Sequence, residues 1–247
     1  MHLLLINPNT TASITDLMLA EAHKIASPET TLSAVAGRFG ARYVASRAAY
    51  AIAGHAALEA YADHGETADA IVLACFGDPA LMALKEIAHQ PVVGMAEASC
   101  MTAAALGGRF SIVTGGERWR PMLEEFVALI GLADRLASVE TVAPSGVDIA
   151  RDPDGALGLL ADACNAAVTR HRADSVILAG AGLVGLAARL ATRVPVPLID
   201  SLAASIHMAE QRAAHWSEKT PPTPNTQAPR AETVGLTAAL AAKLAGR

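Results

Sequence analysis

The sequence predicts an α/β protein of two pseudo-symmetric parallel-sheet halves, with helices on both faces of each sheet and an active site in the cleft between them. Three observations carry this. Short apolar runs rich in Val, Ile and Leu alternate with alanine-rich helical stretches along most of the chain, the pattern of parallel sheets joined by helical crossovers. The segment Ala68–Pro79 recurs as Ala173–Gly182 at a constant offset of 105 residues, with Asp69 matching Asp174, Cys75 matching Gly180 and Gly77 matching Gly182. Two further echoes keep the same order: Leu4–Asn9 with Ser111–Gly116, and Pro91–Met95 with Pro197–Ser201, the latter one residue out of step.

Each element has a local reason. Residues 3–6 form a first strand, and Asn7-Pro8-Asn9-Thr10-Thr11 turns into a helix capped within 10–13 and running to about residue 26. Residues 31–35 are a second strand, followed by a glycine-containing segment over 37–45 that reads equally as a loop over the strand ends or as an ordinary connection. A helix over 47–62 stops at Gly65, strand three takes 69–74, a helix covers about 79–88, and strand four is 91–95. Glu97-Ala98-Ser99-Cys100 opens the next helix, closed by Gly107-Gly108. The second half reads as strand 110–113, helix 119–130, strand 137–142, helix 154–170, strand 175–179, helix 183–191 and strand 196–199. Leu157, Leu160, Cys164 and Val168 share one face of the 154–170 helix, which makes Cys164 a core residue. Asp200 or Ser201 caps a helix to about 214, residues 217–230 with four prolines form an irregular crossing, and a last helix over about 231–245 packs back on the first half. The repeat sets the expected domains: 1–96 plus 205–247, carrying Cys75, and 97–204, carrying the Gly180 turn.

Composition excludes several function classes. A net charge of −5 without a basic cluster argues against nucleic acid as a partner. No run of 18 clean apolar residues predicts a membrane span, and the start lacks the basic region of a signal peptide. Three cysteines without a C-x-x-C pair fit a cytoplasmic protein with no zinc site, and the eight scattered histidines give no metal signature. Neither a G-x-G-x-x-G after the first strand nor a Walker lysine is present, so no nucleotide cofactor is expected.

Chemistry concentrates where strands end. In open α/β sheets ligands bind outside the carboxyl ends of the strands, and Cys75 sits there, although free cysteine is also a common buried filler. Phe76-Gly77 on one side, with Ala181-Gly182 and Thr114-Gly115-Gly116 on the other, would offer backbone N–H groups to a small anion. A helix N-terminus just after Cys75 would favour its thiolate. A thiol protease would need a histidine at a strand end, and none is expected there. Proton abstraction beside a carbonyl needs less: one base and donors for the enolate oxygen.

Ile6-Asn7-Pro8-Asn9-Thr10-Thr11, Ala74-Cys75-Phe76-Gly77-Asp78-Pro79 and Val113-Thr114-Gly115-Gly116-Glu117-Arg118-Trp119 resemble the signatures of hydantoin and allantoin racemases, within the aspartate/glutamate racemase superfamily. The resemblance runs from residue 1 to about 210. It implies two flavodoxin-like halves, a cofactor-independent racemase, a homo-oligomer, and two cysteines that remove and return a proton on opposite faces of a stereocentre. Cys75 matches the first cysteine. The second would fall in Ala179-Gly180-Ala181-Gly182, where position 180 is glycine. Three readings follow: chemistry by one thiol, a different second donor such as water, Cys100 or Glu97, or an introduced glycine. The expected substrate is a small anion or cyclic imide, with Cys75 catalytic and Asn7, Phe76, Gly77, Thr114, Gly115, Gly180, Ala181 and Gly182 binding. A one-thiol decarboxylase of malonate-type acids and a catalytically silent binding homologue are the rivals.

Overall fold

The computed structural model describes residues 1–216 and 232–245. Its first half runs β1 (His2–Asn7), α1 (Ala12–Ile25), β2 (Thr31–Ala36), α2 (Arg47–His64), β3 (Ala70–Leu73), α3 (Leu81–Ile87) and β4 (Val92–Gly94). After α4 (Met95–Ala105) come β5 (Phe110–Gly115), α5 (Trp119–Leu129), β6 (Leu136–Val142), α6 (Gly146–Arg151), α7 (Pro153–His171), β7 (Ser175–Ala179), α8 (Leu186–Leu190) and β8 (Leu198–Asp200). Two helices close the chain, α9 (Ser201–His215) and α10 (Ala238–Leu244). The strands form two four-stranded sheets, β2-β1-β3-β4 and β6-β5-β7-β8, with every pairing parallel. The halves therefore share one topology, as the repeat requires.

The repeated aspartate has a physical cause. Asp69 accepts from the amide of His2 at 2.6 Å and donates its own amide to the His2 carbonyl at 2.8 Å. Asp174 makes the same pair with Arg109, both bonds at 2.7 Å. Each aspartate thus joins the start of a third strand to the start of the first strand of its sheet. That junction lies at the end of the sheet away from Cys75.

Fully buried Leu3, Leu5, Val72 and Val93 of one sheet and Phe110, Ile112 and Ile177 of the other belong to one continuous core. Burying each such aliphatic side chain contributes about 1.5–3 kcal/mol. Between the sheets α4 and α9 pack on each other, α9 covering β3 and β4 while α4 reaches β7. Both helices therefore cross from the sheet they follow to the other. On the outer faces, Tyr61 of α2 and Leu84 of α3 pack beneath the first sheet, and Leu160 and Cys164 of α7 beneath the second. Cys164 is a core residue as expected.

Differences from the sequence-based elements are local. Thr11 stands at the N-cap of α1, but its hydroxyl donates to the Arg42 carbonyl instead, and the acceptor for its own amide is Asn9 Oδ1. α6 was not expected; a capping box makes it, Ser145 Oγ accepting from the Asp148 amide while the Asp148 carboxylate accepts from Ser145. The expected 183–191 helix shortens to α8 because Gly180–Leu183 forms its own tight turn and Gly185 has φ +79°. α10 does pack back on α2, with Thr237 at its N-cap bonded to Glu59. The proline-rich 217–230 stretch lies outside the described residues, apart from which no helix is long and apolar enough to cross a membrane.

Candidate active site

The ends of β1, β3, β5 and β7 converge on a partly open cavity of about 50 Å³. From the first half, β3 stops at Leu73, Ala74 bonds to the Ile6 carbonyl, and Cys75 and Phe76 follow into the cavity wall. From the second half come Thr114 and Gly115 of β5 and the turn Gly180–Leu183 after β7. Thr114 Oγ1 donates to the Ala179 carbonyl at 2.8 Å, which ties the ends of β5 and β7 together. Gly180 has φ +119°, and a Cβ built there would meet only Thr114 Oγ1 at 3.7 Å and Leu183 Cδ1 at 3.9 Å, both cavity residues.

Of the two readings the sequence left open for the 37–45 segment, a cover over the strand ends or an ordinary connection, the structure shows the first: Tyr43 and Val44 line the cavity. Tyr43 reaches across from the first half to donate its hydroxyl to the Gly115 carbonyl at 3.0 Å, and Trp119 Nε1 donates to the same oxygen of Tyr43 at 3.2 Å. Arg47, at the start of α2, pairs with Glu125 of α5 by two short bonds of 2.5 and 2.6 Å. The loop is therefore latched to the second half on both sides.

Of the expected site residues, Cys75, Phe76, Thr114, Gly115, Gly180, Ala181 and Gly182 line the cavity. Asn7 does not. It is 0% exposed, donating to Asn9 Oδ1 and Thr15 Oγ1 and accepting from the Asn9 amide, so it positions Asn9, which lines the cavity in its place. Gly77 also lies behind the wall, its carbonyl held by Tyr50 Oη at 2.7 Å, and a Cβ built there would come within 2.8 Å of the Trp119 ring. The sequence reading missed Tyr43, Trp119, Val44, Val147 and Gly146. Trp119 and Tyr43 stood in segments it had marked, but only the tertiary closure turns them inward.

Neither expected second donor reaches the cavity wall. Cys100 is fully buried in α4, and Glu97 pairs with Lys85 at 2.5 Å and Arg212 at 3.4 Å. No Lys, Arg, His, Asp or Glu is among the lining residues, and no group of three His, Cys, Asp or Glu assembles among the described residues.

Cys75 is 7% exposed, and burial, with the nearby Asp78 carboxyl adding to it, pushes its thiol up to about 12. The thiolate is not aided by a helix N-terminus: α3 begins only at Leu81, six residues on, so that expectation fails. Burial likewise raises the Tyr43 phenol, against hydrogen bonds from Trp119 and Gly146 that lower it. The phenol's proton is given to Gly115, which leaves Cys75 as the ionisable group free to face a ligand.

The Asp/Glu/Hydantoin racemase family model matches residues 3–209, most of the chain. The chain belongs to this family. It is 34% identical over 216 residues to a hydantoin racemase of Paenarthrobacter aurescens, covering 87% of this chain and 92% of that one. A hydantoin racemase of a Pseudomonas species is 33% identical over 211 residues, 85% of each chain. The crystal structure of allantoin racemase from Pseudomonas fluorescens superposes with a TM-score of 0.88 at 29% identity, covering 95% of this chain and 99% of that one. The family's two-sheet α/β architecture is thus the architecture of this chain.

Proposed function

We propose that the protein catalyses cofactor-independent proton transfer at the carbon beside a carbonyl of a hydantoin-type cyclic imide, with the Cys75 thiol as acid and base. One observation carries the reading: among the described residues, the only unengaged ionisable side chain on the cavity wall is Cys75, in a family whose relatives include hydantoin racemases. A wall without a cationic side chain favours a neutral cyclic imide with an apolar substituent over an amino-acid carboxylate, because a buried carboxylate without a partner is costly.

In the forward step the thiolate Sγ takes the proton from the ring carbon, and the C–H electron pair moves onto the adjacent carbonyl as an enolate. The amide of Phe76 donates to no other group among the described residues, and those of Ala181 and Gly182 open a helical turn, so both sides of the cleft offer donors for that oxygen. Return of the proton by the same thiol restores the starting enantiomer. Racemisation needs delivery from the opposite face, where position 180 carries no side chain and water is the remaining donor. A thiol near 12 is scarcely ionised at rest, about one in 10⁴ at pH 8, but it is a correspondingly strong base towards a weak carbon acid.

The test is proton NMR with polarimetry in deuterium oxide on enantiopure 5-substituted hydantoins and allantoin. Exchange with loss of rotation identifies a racemase with a second donor opposite Cys75. Exchange with rotation retained identifies one-face chemistry by Cys75, for which malonate-type acids are the next substrates. Binding without exchange identifies a silent homologue and overturns the proposal.

A further inference from the structure

The turn after Cys75 is held in an unusual backbone. Gly77, Asp78 and Ala80 have φ of +107°, +55° and +64°, so two residues with side chains occupy the left-handed region within three positions. Such conformations cost of order 1–3 kcal/mol each and persist only where surrounding structure over-determines them. Here it does so from four directions. The Asp78 amide donates to the Cys75 carbonyl at 3.0 Å, and Tyr50 of α2 holds the Gly77 carbonyl. Gly54 of α2 leaves room for Ala80, a Cβ there coming within 3.2 Å of the alanine methyl. The fourth tie is the Asp78 carboxylate, 2% exposed, whose two oxygens accept from the amides of Ala96 at 2.9 Å and Glu97 at 2.7 Å.

Those amides are in the first turn of α4, the helix that crosses to the second sheet, and first-turn amides have no partner within the helix. The carboxylate fits only because residue 94 is glycine: a Cβ there would lie on top of it. Asp78 has no place on the cavity wall and no role in the proton transfer itself.

We infer that Asp78 is the positioning residue for Cys75, its carboxylate clamping the strained 77–80 turn to the N-terminus of α4 so that the thiol faces the cleft. The inference rests on the proton-transfer reading of Cys75 for its meaning in catalysis. The charged and titratable groups around the carboxylate are Cys75 on its own turn, Lys85 from α3, Glu97 and Cys100 from α4, and Tyr50 from α2, with Arg212 of α9 acting on Glu97. Lys85 and Arg212 both bond to Glu97, so the Asp78 carboxylate is met by backbone amides and not by a salt bridge. Its negative charge opposes ionisation of the thiol three residues away. Position and charge thus have opposite signatures, which makes them separable.

The experiment is Asp78→Asn, read by alkylation of the Cys75 peptide with iodoacetamide against pH and by hydantoin exchange kinetics. The expected result is an alkylation profile moved to lower pH together with a kcat for exchange lowered about 100-fold, the size of loss a misplacement near 1 Å produces, and KM within about threefold. A folded Asp78→Asn protein with the original alkylation profile and the original kcat overturns the inference, since a merely structural aspartate would change the melting temperature alone. If Asp78→Asn does not fold, Gly94→Ala displaces the carboxylate without removing its charge, and retained kcat in that variant overturns the inference equally. Should Cys75→Ser keep full exchange, the proton-transfer reading fails, while the alkylation profile still decides whether Asp78 governs the thiol.

Discussion

Cys75 and Gly180 follow the third strand of each sheet, 105 residues apart, and line one cavity from opposite sides. One carries a thiol and the other no side chain. A pseudo-symmetric fold thereby surrounds an asymmetric set of chemical groups.

The first prediction concerns the thiol. Cys75→Ser keeps the size of the side chain in a site only 7% exposed, but replaces a thiol near 12 by a hydroxyl that is far harder to ionise. Exchange of the substrate's α-proton is expected to fall by about 10³-fold, within the range that a general base contributes, with the melting temperature within roughly 2 °C. Exchange within tenfold of the original would assign the base elsewhere. In the original protein the exchange rate is expected to rise about tenfold per pH unit between 7 and 9, because the thiolate fraction does.

Installing a thiol opposite it is the converse experiment. Gly180→Cys meets no atom closer than 3.7 Å at its Cβ, so space is available, but φ +119° is a conformation that a side chain disfavours. The expected cost is about 1–3 kcal/mol of stability, measured by denaturant unfolding. The new sulfur would start from a Cβ in contact with Thr114 and Leu183, on the cavity side. Loss of optical rotation is therefore expected to accelerate relative to proton exchange. An unchanged ratio of the two would show that the strained turn carries the thiol out of reach.

Much of this was readable from residue order alone. The repeat gave both sheets, because parallel strands buried on both faces are written as near-continuous apolar runs, and Asp69 and Asp174 mark the same hydrogen-bonded junction twice. Cys75 was legible for the same reason, as a strand-end residue. Asn7 and Asn9 were not separable: which of two asparagines faces a cleft depends on where a six-residue strand ends, and here Asn7 is its last, buried residue. Tyr43 and Trp119 were hidden because their role arises from a hydrogen bond spanning 76 residues. The helix-terminus argument for the Cys75 thiolate failed because the 77–80 turn, with Gly77, Asp78 and Ala80 at positive φ, intervenes before α3 starts at Leu81.

The paired aspartates give a prediction about stability without activity. Asp69→Ala and Asp174→Ala each remove one accepted bond from a backbone amide at the strand-start end of a sheet, where both aspartates are solvent-exposed. Each is expected to lower stability by about 1 kcal/mol, and the double variant by their sum, since the two junctions share no partner. Exchange kinetics at saturating substrate should not move. A fall in kcat for either one would connect the far ends of the sheets to the cavity.

The pH dependence of stability isolates Asp78. Burial outweighs the hydrogen bonds from Ala96 and Glu97 and pushes its carboxyl up from 3.8 to about 7. The folded protein then holds a proton that the unfolded chain has released, so this group's contribution is fully present below about 4 and lost as pH rises through about 7. Glu59 and Glu210, bonded to Thr237 and to Ser27 and Thr30, are lowered instead and act with the opposite sign below the ordinary carboxylate range. Comparing the melting temperature of the original protein with Asp78→Asn from pH 4 to 8 subtracts those groups, which are common to both. The difference is expected to shift in favour of Asp78→Asn as pH rises across that window. A constant difference would mean that Asp78 stays ionised on the α4 amides throughout, and that the hydrogen bonds, not burial, decide its protonation.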